Sequence, residues 1–344
     1  MEIVFMHLAP RRRKTTIQAL GVAMAALAAA LAIAACGSSS SGGSSKSVTL
    51  IAYSTPQSAF SSLISAYEKT SAGKGVSFSQ SYGPSGEQSR KVADGLHADL
   101  VNFALEPDVT RLVKAGMVSS SWNQNATHGM VTSSVAVIIV RKGNPKHIHG
   151  WSDLIKPGVE VLTPNPYTSG SARWNILAAY GAQIKEGHTP AEATEYLQKL
   201  FKKVVSQNSS ARTALQTFLS GRGDALIDYE SEAISDQKKG SPIEYVIPSD
   251  TIQIENPVAV VGNSSAAKSF ESFLVSPEGQ KIWVQHGYRP VISGVPGASA
   301  FPTPPGLFTV ASLGGWTKVE EQFFAPSTGT VTKIEESLGV STAK

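Results

Sequence analysis

Cysteine is almost missing from this 344-residue sequence, in which Cys36 stands alone. A single cysteine excludes an intramolecular disulfide and any cysteine-based metal cluster, so the folded body is held by packing. The sequence also lacks GxSxG, P-loop and GxGxxG patterns and shows no internal repeat, which removes the usual signatures of hydrolases and nucleotide binders. Ser235-Asp236-Gln237-Lys238 fits SxxK, but no KTG or SDN partner accompanies it. His147 and His149 sit in a polar loop without a third ligand nearby, so no metal site is expected. Charge is sparse as well, at 16% of residues. Removing residues 1–35 takes away four of the 30 basic residues and one of the 26 acidic ones, lowering the net charge from +4 to +1. A near-neutral body has no basic stripe for nucleic acid.

What is present begins at the N-terminus. Arg11, Arg12, Arg13 and Lys14 precede an uncharged, Ala-rich stretch from Ile17 to Ala35, the order of a secretory signal over residues 1–35. Ile33-Ala34-Ala35-Cys36-Gly37 resembles the lipobox of bacterial lipoproteins, which implies lipidation of Cys36. The Ser/Gly run that follows makes residues 36–46 a flexible tether. The expectation is a secreted protein anchored by lipid to the outer face of the cytoplasmic membrane.

The remaining chain is long enough for two domains of ordinary size. Ser47–Tyr53, Val76–Tyr82 and Ala98–Leu105 read as strands. Helical patterns at Phe60–Lys69, Glu87–Leu96 and Pro107–Ala115 follow them in turn. This alternation predicts an α/β fold with a mostly parallel sheet. Ser134–Arg141 is a continuous apolar run suited to a buried strand. Val159–Thr163 is a short strand, helices are expected at about 171–181, 190–202 and 211–219, and residues 223–229 lead into another strand. Two strands within 243–261 and helix from Ala266 to His286 complete the pattern.

Three strand-to-helix transitions carry small polar residues: Pro84-Ser85-Gly86, Thr168-Ser169-Gly170-Ser171 and Ser209-Ser210-Ala211. The first turn of a helix exposes unpaired N–H groups backed by partial positive charge, so it can hold an anion that no lysine or arginine touches. A serine at a helix start serves equally as a plain N-cap. The residues alone leave both roles open.

The stretch from Arg141 to Asn175 contains RKGNPK, the run Trp151–Val159, TPNP at Thr163–Pro166 and SGSARWN at Ser169–Asn175. It resembles the sulfate- and thiosulfate-binding proteins of bacterial ABC importers. GPSGEQ at Gly83–Gln88, SARTALQTF at Ser210–Phe218, SPEGQ at Ser276–Gln280 and GGWTK at Gly314–Lys318 extend the likeness over most of the body. The resemblance implies a two-lobed periplasmic-binding-protein fold, with a hinge of two crossing strands and the ligand cleft between lobes. Lobe I would comprise 47–133 plus 254–344 and lobe II 134–253, with crossings near Ser134 and Ile254. It further implies a monomer that binds sulfate or thiosulfate and delivers it to the membrane permease of an ABC importer, without cofactor, metal or chemical turnover. Molybdate or phosphate binding and a lipid-anchored hydrolase are the alternatives.

By the same resemblance the anion would be held by Ser85, by the Ser169 hydroxyl, by the N–H groups of Gly170, Ser171 and Ala211, and by Tyr229. Arg173 would stand behind the helix start without touching the ligand. Four positions depart from the family. Ser171 replaces a glycine, Tyr229 a tryptophan, Asp228 an apolar residue, and Thr55 an acidic residue, so Arg173 is expected to lack that acidic partner. Sulfate is fully deprotonated and only accepts hydrogen bonds, so a pocket of donors leaves the proton of phosphate unpaired, at a cost of about 1–3 kcal/mol. Strand alternation points Asp228 away from the cleft if Tyr229 points in.

Overall fold

The computed structural model describes residues 46–342. The expected signal sequence, Cys36 and residues 37–45 of the tether lie outside the described residues.

The first units are β1 (Lys46–Tyr53), α1 (Gln57–Tyr67), β2 (Val76–Gly83), α2 (Ser85–Ala93), β3 (Leu100–Asn102) and α3 (Glu106–Lys114). In α1, Phe60, Leu63, Ile64 and Tyr67 recur at helical spacing and are all buried. A long strand, β4 (Met130–Arg141), then leads to β5 (Val161–Leu162), α4 (Gly170–Lys185), α5 (Pro190–Phe201), β6 (Val204–Ser206), α6 (Ala211–Leu219), β7 (Ala225–Tyr229), α7 (Glu230–Lys238) and β8 (Ile243–Val246). The chain returns along β9 (Gln253–Val260) and continues through α8 (Ser265–Leu274), α9 (Pro277–Gln285), α10 (Gly315–Val319) and α11 (Thr330–Ser337).

The strands form one sheet in the order β2-β1-β3-β9-β4-β7-β5-β6, with β8 pairing β4. β1, β2 and β3 are parallel to one another, as are β5, β6 and β7. β4 and β9 break the expected parallel order because each runs through both halves. The start of β4 pairs antiparallel with β9, and its end pairs with β7 and β8. Ser134 and Ile254, the two expected crossing points, face each other in that ladder. Apolar clusters cover both halves, and one of them takes in Tyr53, Ala104 and Leu105 of the first half together with Trp174 and Leu177 of the second. The result is a two-lobed fold joined by two crossing strands.

Three departures from the sequence expectation have local causes. The single helix expected from Ala266 to His286 is two, because Ser276 caps α9 with Pro277 at its first turn. α7 has polar and charged residues around its whole circumference, so it carries no apolar stripe to be read. The C-terminal run expected with lobe I also packs with the second half. Phe308, Trp316, Phe323, Phe324 and Ile334 share a core with residues of α4 and α5, and Trp316 stands edge-on to Trp174 with ring centroids 4.7 Å apart.

The first lobe's core centres on Phe60, whose ring meets Trp283 edge-on at 5.2 Å. Phe60→Ala is expected to lower unfolding free energy by about 3–5 kcal/mol, measured by urea titration of tryptophan fluorescence.

Candidate functional site

The starts of α2, α4 and α6 meet at one place. The Gly86 N–H donates to the Thr168 carbonyl at 3.2 Å, and the Thr168 hydroxyl donates to the Ser209 carbonyl at 2.9 Å. Tyr229, at the end of β7, lies beside Ser171 and Asn256. Ser85, Ser169, Gly170, Ser171, Ala211 and Tyr229 are therefore gathered from four separate stretches of sequence, and all six are buried. The main-chain N–H groups of Ser85, Gly170, Ser171 and Ala211 have no acceptor among the described residues, as first-turn donors do not within their own helix.

Gly170 is required by close approach. A Cβ there would lie 2.7 Å from the Ala104 Cβ and 2.8 Å from Leu105 Cδ2, so the start of α4 rests directly on the turn between β3 and α3. That turn is fixed from both sides, since Trp174 Nε1 and Asn256 Nδ2 both donate to the Ala104 carbonyl, at 2.7 and 3.0 Å.

The hydroxyls divide into committed and free. Ser85 donates its proton to Asp108 Oδ2 at 2.6 Å and accepts from the Ala104 N–H at 2.9 Å, so its side chain is already engaged and its N–H is the group left over. Sequence reading had placed Asp108 only in the first turn of a helix. The hydroxyls of Tyr229, Tyr53 and Thr55 are buried without a hydrogen-bond partner, and the rings of Tyr53 and Tyr229 stand 6.5 Å apart. Thr55 reaches the site through Arg212, which donates to the Thr55 carbonyl at 2.9 Å and to Glu232 Oε1 at 2.8 Å. No motif marked Thr55 or Arg212 as neighbours.

Arg173 finds its carboxylate in the C-terminal segment, as an ion pair with Glu320. Its Nε donates to the Pro166 carbonyl at 2.9 Å, and its guanidinium lies 4.7 Å over the Phe324 ring. Tyr167, in the same loop, donates to Thr332 Oγ1 at 2.8 Å. Residues of the C-terminal segment thus brace the loop that opens α4.

Asp228 occupies the face of β7 opposite Tyr229. One of its oxygens accepts from the Tyr229 N–H at 2.8 Å, and the other has no partner. Burial, and then the nearby Glu232, pushes its carboxyl well above the usual range. Burial likewise raises Glu232 to about 7 although Arg212 pulls it down. Among the described residues no group of three or more histidine, cysteine, aspartate or glutamate side chains is placed to hold a metal, and no helix is long and apolar enough to cross a membrane.

The starts of α2, α4 and α6 face one another with first-turn N–H groups unpaired, an arrangement suited to a small ligand. Residues 48–289 match the family described as bacterial extracellular solute-binding protein. A sulfate-binding protein of Synechococcus elongatus is 40% identical over 95% of this chain and 97% of its own. A thiosulfate-binding protein of Pseudomonas aeruginosa is 34% identical over 75% of this chain and 82% of its own. Among solved structures, the sulfate-binding protein SubI from Mycobacterium tuberculosis H37Rv is 45% identical with a TM-score of 0.78, covering 80% of this chain and 98% of that one. The chain belongs to the sulfate- and thiosulfate-binding family of bacterial extracellular solute-binding proteins.

The buried carboxyls give stability a definite pH dependence. A raised folded-state pKa means the folded protein holds the proton more tightly than the unfolded chain, so this stabilisation is full below the ordinary carboxylate range and is lost as pH rises toward and beyond 7. Asp228→Asn is expected to raise Tm at pH 8 by about 2–6 °C and to leave Tm at pH 4 nearly unchanged. Calorimetric scans at the two pH values measure both.

Proposed function

We propose that this protein binds sulfate, and thiosulfate next to it, outside the cytoplasm and delivers it to the membrane permease of an ABC importer. The observation that carries this reading is the meeting of unpaired helix-start N–H groups in a buried cleft. Arg173 and Arg212 beside it each pair with a glutamate, so the N–H groups and hydroxyls are the donors left for an anion. A fully deprotonated tetrahedral oxyanion suits such donors. The proton of phosphate would seek an acceptor, and Asp228, which could provide one, sits on the far face of β7. The sulfate- and thiosulfate-binding relatives point to the same ligand class.

In this reading Ser85, Gly170, Ser171 and Ala211 donate through the main chain, while Ser169 and Tyr229 donate through hydroxyls. Lobe I comprises 47–133 and 254–344 and lobe II 134–253, with part of the C-terminal run also packed against α4 and α5. Closure of the lobes buries the anion, and the permease distinguishes loaded from empty protein by that closure. A signal over residues 1–35 directs export and is removed, and a lipid on Cys36 holds the monomer at the outer face of the cytoplasmic membrane. Incorporation of labelled palmitate that disappears in Cys36→Ala tests the anchor.

Calorimetry in anion-free buffer tests the ligand. Micromolar or tighter binding of sulfate with phosphate excluded is expected; absence of binding for sulfate, thiosulfate, molybdate and phosphate alike would sink the receptor reading. Ser169→Ala should weaken sulfate binding about tenfold, since a hydrogen bond to a charged group is worth about 1.5–3 kcal/mol. Tyr229→Phe should weaken it less. Gly170→Ala should weaken it at least as much as Ser169→Ala, because the added methyl wedges α4 away from Ala104. Turnover of a sulfate or phosphate ester that is lost in Ser169→Ala would favour a hydrolase instead.

A further inference from the structure

Beside the proposed anion site, and on the reading given for it, one cation is left over. A small cavity of about 10 Å³ is bordered by Gly86, Arg90, Asp108, Arg111, Ser169 and Arg173, room for about one water. Three guanidiniums therefore surround it. Arg111 is paired with Asp108 at 2.9 Å, and that carboxylate also accepts from Ser85. Arg173 is paired with Glu320, and Glu87, the remaining acid near Arg90, is paired with Lys91. Arg90 has no carboxylate within ion-pair distance among the described residues. Partial burial, with Arg111 and Arg173 close by, lowers its pKa from that of a free guanidinium, the mark of a cation held among cations.

Its position follows from the helix. A side chain leans back toward the start of its own helix, so Arg90, one turn after Gly86, covers the first turn of α2. A Cβ on Gly86 would come within 3.3 Å of Arg90 Nη1 and 3.2 Å of the Thr168 carbonyl, so glycine leaves the room that the guanidinium uses. Across the cleft, Arg90 Nη2 reaches the Tyr167 carbonyl at 3.4 Å, a long contact that a stronger acceptor would displace. Arg90 is part-exposed, so its charge is felt by solvent as well as by the site.

We propose that Arg90 is a capture residue, which draws a small dianion from solvent to the cleft mouth before the anion passes to the helix starts. It touches the anion in transit; in this structure its contact is the Tyr167 carbonyl. A positive charge that acts before closure changes the association rate, and its effect fades with salt. A tie that only holds the lobes together would change the dissociation rate.

The test is stopped-flow tryptophan fluorescence on the purified full chain mixed with sulfate at low and at 300 mM sodium chloride. Arg90→Gln is expected to slow association roughly fivefold to tenfold at low salt, with a flatter dependence on chloride, and Arg90→Lys to restore most of the rate. An association rate equal to wild type at low salt, with or without faster dissociation, would overturn the capture role while leaving sulfate binding intact. If the wild-type chain takes up no sulfate, the ligand reading and the capture role fall together.

Discussion

An N–H group in the first turn of a helix cannot be paired by its own helix, and the architecture of this chain gathers several such groups in one place. The starts of α2, α4 and α6 come from remote stretches of sequence and from both sides of the β4–β9 ladder. Each is fixed by a contact that leaves its outermost donors unpaired. Gly86 binds Thr168, Thr168 binds Ser209, and Ser210 caps its own helix through the Thr213 N–H. The charges behind these starts are balanced locally, Arg173 by Glu320 and Arg212 by Glu232. The helix starts then contribute fixed dipoles beside the unpaired charge of Arg90.

Local signals made much of this legible. Strand-to-helix transitions marked by Ser and Gly located the helix starts, and the apolar run at Ser134–Arg141 located most of β4. What escaped had no local signature. The Ser85–Asp108 bond, the Arg212–Thr55 bridge and the Arg173–Glu320 pair join residues 23, 157 and 147 positions apart, and sequence periodicity carries no information about such partners. α4 was expected to be shorter because nearly all of its residues are buried, which erases the polar face that shows where a helix lies. The packing of Phe323, Phe324 and Ile334 with α4 and α5 likewise joins residues too far apart for periodicity to show.

The acidic cluster behind β7 is the costly part of the design. Asp228 and Glu232 are buried on neighbouring elements, with Arg212 the cation that serves Glu232. Arg212 also ties this cluster to the Thr55 carbonyl. A buried polar group of this kind persists only where its partners are held in place.

The bracing of the α4 loop by Glu320 and Thr332 bears on the order in which the molecule becomes complete. Every residue proposed to touch the anion lies before position 230, yet the side chains that hold Arg173 and Tyr167 are among the last twenty-five of the sequence. A chain emerging N-terminus first thus carries the residues proposed for the anion before Glu320 and Thr332, which brace the loop that opens α4.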